Sequence, residues 1–171
     1  MKITLKPLGS TADEIMEGLK DRVGGIFHCP VEIEAGISDL SETYNSERKQ
    51  YSSSKLLSYL GKSDVDERVV GIADVDLYVP RLNFGFGEAD IVAGTAIVSL
   101  FRLRQEYYGL ASDDTLLLER ATKEIVHELG HTFGLGHCRN TKCVMHFSNS
   151  LADTDLKEAH FCNMCRPKII L

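Results

Sequence analysis

His127-Glu128-Leu129-Gly130-His131-Thr132-Phe133-Gly134-Leu135-Gly136-His137 is the stretch on which the reading of this chain turns. It ends a long apolar-periodic segment that Ser112 caps and that runs from Asp113 to about Phe133, with acids at its start, as the helix dipole prefers. On a helix, residues i and i+4 lie one turn apart on the same face. His127 and His131 can therefore reach one tetrahedral Zn²⁺ at about 2.0–2.1 Å. Glu128, beside the first imidazole, is placed to hold a water without binding the metal itself. Gly134 can take positive φ, stop the helix and turn the chain so that His137 supplies a third nitrogen. Three protein ligands leave a fourth place to water, the mark of a catalytic rather than a structural site. With 6 His, 13 Glu and 14 Gly in 171 residues, chance alone would place H-E-x-x-H-x-x-G-x-x-H in roughly 4 of 100,000 such chains, so the metal reading displaces that of an ordinary exposed helix.

Downstream, Cys138 and Cys143 are separated by four intervening residues and Cys162 and Cys165 by two. Two short-spaced pairs can wrap a second, structural Zn²⁺ in a closed Cys₄ site. Two disulfides or four unrelated buried thiols are the competing readings. A reducing compartment and a tail with few large apolar residues favour the metal, whose binding can itself drive folding. Four thiolates on one Zn²⁺ leave a net charge of −2, which Arg139, Lys142, Arg166 and Lys168 surround with cations. Without interleaved aromatics those four make a poor platform for nucleic acid.

The extended histidine motif, His137 followed at once by Cys138, then Cys143-Val144-Met145 and Cys162-Asn163-Met164-Cys165, resembles the archaemetzincins (archaelysins) of the metzincin clan of zinc metallopeptidases. The matching motifs span residues 127–165. The resemblance implies an α/β (α+β) zincin fold: a mixed twisted sheet with backing and active-site helices, plus a small irregular Cys-rich C-terminal subdomain. One catalytic domain would fill 1–171, divided at about 1–134 and 135–171. Met145 would form the floor beneath the catalytic zinc, and Phe84, Gly85, Phe86 and Gly87 would belong to an edge strand, within 83–89, that pairs with an extended peptide. Gly85 and Gly87 would let a second backbone come close. One departure stands out: the astacin branch has Met-His-Tyr here, whereas this chain has Met145-His146-Phe147, with no hydroxyl. His146 is the nearest substitute, although a structural, hydrogen-bonded role suits it better.

Upstream the pattern alternates between strands and helices. Residues 2–8 alternate like a strand, and Ser10 or Thr11 would cap a helix whose face carries Ile15, Leu19 and Val23 until Gly24-Gly25 ends it. Residues 27–34 alternate again, 36–46 read as a loop, and 47–60 as a second helix stopped by Gly61. Residues 69–79 and 91–103 read as strands. His28 and His160 carry no site signal, and Cys29 reads as a small buried hydrophobe.

A chain of 171 residues with 43% hydrophobic and 26% charged positions can build a full core, which excludes disorder and a disulfide miniprotein. The net charge is −6, with 10 basic and 16 acidic residues in 1–100 against 9 and 9 in 101–171. That field suits neither nucleic acid nor anionic lipid. No secretion signal is evident, and the longest nearly apolar run, 91–101, is about half of the ~20 residues a membrane span needs. The expectation is a cytoplasmic monomer with two Zn²⁺ that hydrolyses peptide or protein substrates, Glu128 acting as general base on a zinc-held water and then passing the proton to the leaving amine. Two alternatives stay open: an aminopeptidase rather than an endopeptidase, and a zinc-stabilised peptide-binding module with little turnover.

Overall fold

The computed structural model describes residues 1–80 and 82–169. Strand β1 (Lys2–Leu8) leads into helix α1 (Asp13–Phe27) and strand β2 (Val31–Ile33). Next come β3 (Tyr44–Asn45), β4 (Gln50–Ser52), helix α2 (Ser53–Leu60), β5 (Glu67–Ala73), β6 (Leu77–Tyr78), β7 (Gly87–Asp90) and β8 (Thr95–Ser99). Helix α3 (Asp114–Thr132) and the short α4 (Leu151–Leu156) complete the order.

The main sheet runs β2-β1-β5-β8-β7, parallel except for the edge strand β7, which pairs antiparallel with β8. A small second sheet, β3-β4-β6, stands apart from it. The period of two along each central strand separates two layers. Ile3, Leu5, Val70, Ile72, Ala96 and Val98 join the core that contains α1 and α3. Leu8, Val69, Ala73 and Ile97 join the one that contains α2. This is a mixed, twisted α/β architecture with a Cys-rich tail. In α3, Leu117, Ala121, Ile125 and Leu129 recur every four residues and are buried. Each fully buried leucine or isoleucine contributes about 1.5–3 kcal/mol, so this face anchors the helix in the core. Among the described residues no helix is long and apolar enough to cross a membrane.

Several boundaries differ from the sequence reading. Helix α1 runs through Gly24-Gly25 to Phe27, where His28 takes φ 54° and returns its N–H to the Gly24 carbonyl. Two glycines cost a helix only about 1 kcal/mol each. Phe27 outweighs that by packing against Phe133 and Phe161, with ring centroids 6.1 and 5.9 Å away. Among the described residues no side chain caps α1, because the N-cap position falls on Ala12; the Thr11 hydroxyl donates to the Ile72 carbonyl. Asp113, not Ser112, caps α3, its Oδ1 accepting the Leu116 N–H at 2.9 Å.

Residues 50–52 are strand rather than helix, so α2 begins only at Ser53. The run 69–79 breaks after Ala73, where Asp74 and Asp76 turn to meet Arg104 and Arg102, and Leu77–Tyr78 joins the second sheet. The run 91–103 shrinks to Thr95–Ser99, because the Asp90 carboxylate accepts the N–H groups of Val92 and Ala93 and turns the chain there.

Candidate metal centre

Helix α3 ends on hydrogen bonds from the Gly134 N–H to the His131 carbonyl, 2.9 Å, and from the Leu135 N–H to the Gly130 carbonyl, 3.0 Å. This is the Schellman closure, and Gly134 supplies its left-handed residue at φ 85°. The turn has a chemical consequence. It aims the Leu135 carbonyl back at the helix, where it accepts from His131 Nδ1 at 2.7 Å. The Val144 carbonyl does the same for His127 Nδ1, also at 2.7 Å. With both Nδ1 protons so committed, the Nε2 lone pairs of the two rings face one another 3.1 Å apart. Neutral imidazoles held in that way repel unless a cation lies between them.

His137, beyond the turn, completes the group, and the ligand nitrogens of the three histidines lie within 4.8 Å of one another. Nitrogens about 2.05 Å from a tetrahedral Zn²⁺ lie about 3.3 Å apart, so the donor set suits that metal. Among the described residues no Asp, Glu or Cys joins the three rings in this cluster. Burial pushes the pKa of all three imidazoles down, most strongly for His127, which favours the neutral form that a metal requires.

Glu128 is almost wholly buried beside these rings. Burial first, and Glu124 second, push its carboxyl well above the ordinary range, while Lys157 pulls the other way. Glu124 lies one helical turn earlier, and its Oε1 accepts from Thr154 Oγ1 at 2.8 Å and meets Lys157 Nζ at 3.0 Å. Lys157 is 1% exposed, making this a buried ion pair behind the histidines. Below the helix Met145 is fully buried against Gly130; a Cβ there would lie 2.3 Å from its Sδ. Only a glycine lets the helix sit so close on this methionine.

The four sequence-selected cysteines also converge, their Sγ atoms all within 4.8 Å. Cys138 and Cys162 Sγ are 3.9 Å apart, far beyond a disulfide bond and close to the ~3.8 Å that tetrahedral Zn–S geometry sets. The backbone N–H groups of Met164 and Cys165 draw the Cys162 thiol down to about 6, whereas burial raises Cys143 and Cys165. His146 turns from the catalytic side, its Nδ1 3.0 Å from the Cys138 carbonyl.

The edge strand differs from expectation. It is β7, Gly87–Asp90, so only Gly87 of Phe84, Gly85, Phe86 and Gly87 lies in it. The other three lead into it and line a cavity of about 360 Å³ shared with the three histidines and Glu128. Nor do the glycines open space for a second backbone. A Cβ at Gly87 would lie 2.7 Å from the Glu128 side chain, and one at Gly85 2.4 Å from Val79 Cγ2. Sequence reasoning missed the orienting carbonyls of Leu135 and Val144, which no side-chain motif can signal. It also missed Glu124 and Lys157, which belong to no recognised motif.

The model of peptidase family M54 matches residues 12–170. Among curated relatives, the archaemetzincin of Methanocaldococcus jannaschii is 43% identical over 169 residues, covering 99% of this chain and 93% of its own. That of Pyrococcus horikoshii is 44% identical over 170 residues, covering 94% and 89%. Among solved structures, a zinc-dependent peptidase from Methanocorpusculum labreanum superposes with a TM-score of 0.89 at 31% identity, over 97% of this chain and 98% of that one. The archaemetzincin of Archaeoglobus fulgidus, solved with malonate, gives 0.85 at 38% identity over 99% and 100%.

Proposed function

We propose, from the premise that the chain belongs to peptidase family M54 and is a zinc metallopeptidase, that it hydrolyses peptide bonds of peptide or protein substrates in the cavity beside α3. The observation that carries this is the convergence of three imidazoles with no fourth described side chain among them. His127 and His131 would hold the metal through Nε2, with His137 as third ligand. Bound there, zinc lowers the pKa of a water and polarises a carbonyl. Glu128 takes the proton of the attacking water on a carboxylate oxygen and delivers it to the leaving amine nitrogen. The Leu135 and Val144 carbonyls hold the two helical rings in one tautomer, which keeps ligand affinity high. Met145 supports the helix from beneath.

Cys138, Cys143, Cys162 and Cys165 would bind a second, structural zinc. Residues 1–134 and 135–171 are then two subdomains of one catalytic domain. Family membership and the separation of the thiols support this reading, and an open fourth position favours catalysis over a closed structural site.

The test is mass-spectrometric profiling of a peptide library with wild type and Glu128→Ala, alongside quantitative zinc analysis. We expect two zinc per chain, and cleavage that the variant loses. Equal cleavage by both proteins would refute the role of Glu128, and less than one zinc per chain would refute the metal reading. Acetylating the N-terminus of cleaved peptides separates the two modes: an aminopeptidase loses them as substrates, an endopeptidase does not. A library bound but left intact would instead mark a binding module.

A further inference from the structure

We propose that Ser148 is a further catalytic residue, its hydroxyl donating a hydrogen bond to the substrate carbonyl oxygen as that oxygen gains charge; this rests on the peptidase reading above. Ser148 Oγ is buried and has no hydrogen-bond partner among the described residues. Buried polar groups are almost always paired, and an orphan retained in a folded protein calls for a functional account. This one lines the same cavity as His127, Glu128, His131 and His137. Among the described residues that line it, Ser148 carries the only hydroxyl. The preceding residue, Phe147, offers none, and its ring packs 4.7 Å from that of His137. The chain is thereby pinned beside the third histidine at the point where Ser148 follows.

The backbone around this hydroxyl is held firmly. The N–H groups of Asn149 and Ser150 both donate to Asp153 Oδ2 at 3.0 Å. Helix α4 is clamped to α3 by the bidentate Arg120–Asp155 pair, 2.6 and 2.7 Å, and by Thr154 on Glu124. With the main chain fixed, one torsion, χ1, decides where the hydroxyl points. No resting bond has to break first. A donor that gives up no other partner, carried on a fixed main chain, costs little to reorganise as charge develops, which is the condition for effective transition-state stabilisation. The proton stays on Ser148 Oγ throughout, so the proton transfers remain with Glu128.

The experiment compares zinc-loaded wild type, Ser148→Ala and Ser148→Thr on a peptide that the wild type cleaves. It also measures, by calorimetry, the binding of a phosphinic peptide whose tetrahedral anion mimics the charged oxygen. We expect Ser148→Ala to lower kcat by about a hundredfold with KM little changed, and to weaken the phosphinic peptide by a similar factor. Its melting temperature should equal or exceed that of wild type, since no bond is lost on removing the hydroxyl. Ser148→Thr, which keeps a hydroxyl, should recover most of the rate. Wild-type rate and affinity in Ser148→Ala would overturn the inference and leave the peptidase reading intact. A lowered melting temperature in Ser148→Ala, with no recovery of rate in Ser148→Thr, would also overturn it, marking a structural residue. A wild type that cleaves no peptide would overturn both.

Discussion

Replacing Lys157 by methionine tests the buried ion pair behind the histidines. Lys157 Nζ lies 3.0 Å from Glu124 Oε1, and both side chains are sealed from solvent. The contact is one of charge, since the ammonium has no aligned hydrogen bond. At an effective dielectric of about 20, two unit charges 3.0 Å apart attract by about 5.5 kcal/mol. Much of that offsets the desolvation of both ions, so the pair adds little beyond a neutral substitute. Breaking it from one side is another matter. Lys157→Met leaves the Glu124 carboxylate buried and unpaired, which costs about 3–5 kcal/mol. Glu124→Gln strands the ammonium at a similar cost. The double variant strands neither ion and keeps an acceptor for Thr154 Oγ1, so it should lose about 1–2 kcal/mol, with a coupling energy above about 2 kcal/mol. Urea unfolding of the four proteins at pH 7 gives the cycle. A single-variant cost below about 1 kcal/mol, or strictly additive costs, would refute the claim that the pair is desolvated.

Gly130→Ala should destabilise the fold by about 1–3 kcal/mol and impair metal binding, because its Cβ would meet Met145 Sδ at 2.3 Å; thermal melts and zinc analysis check both. Without metal, the stability of the protein should fall from pH 7 toward pH 5. Burial holds the three site imidazoles below their unfolded value near 6.5, so the unfolded chain binds more protons as pH drops; urea midpoints at three pH values in chelator would expose a flat profile if this is wrong. Cys165→Ser should reduce zinc from two per chain to one, and a variant that retained two would remove the cysteines from the proposed structural site. Gly134→Ala, placing a Cβ at φ 85°, should cost about 1 kcal/mol or more and weaken zinc affinity by turning the Leu135 carbonyl away from His131; equilibrium zinc titration reads this out.

The elements most legible in the sequence are those whose local signals agree with their packing. Helix α3 has an acidic start, a four-residue apolar repeat and a glycine stop. The alternation in 2–8 survives as β1. Boundaries failed where tertiary contacts overrode local preference, as when the ring packing of Phe27 carried α1 through two glycines. They failed again where apolar residues sit on a turn: Ile91 and Val92 extend a strand-like run, yet both are exposed at the β7–β8 connection. Within the site, side-chain ligands were readable because metal chemistry restricts residue type and spacing. The carbonyls that orient them were not, since every residue carries one. Lys157 was the least legible of the residues around the site. It stands in the polar run Asp155-Leu156-Lys157-Glu158, where the apolar Leu156 is 48% exposed and the lysine 1%. Burial follows periodicity only within regular elements, and Lys157 lies just past the end of a six-residue helix.

The histidine and cysteine clusters are joined in one piece of structure. Residues 138–145 connect them: Cys138 and Cys143 belong to the thiol cluster, and the Cys138 N–H donates to the Met145 carbonyl at 2.8 Å, closing the loop between. Val144, inside that loop, supplies the carbonyl that orients His127, and Met145 supports Gly130 one residue before His131. A tail with one short helix cannot fix those positions by hydrophobic burial alone, whereas four thiols on one metal can. On the reading proposed above, a metal on the thiol cluster would act as the jig that sets the ring of His127, and the catalytic centre would borrow its precision from a site that takes no part in the chemistry. Held on one side by the sheet through α3 and on the other by this knot of cysteines, the histidines keep their geometry while the cavity between stays open to a peptide.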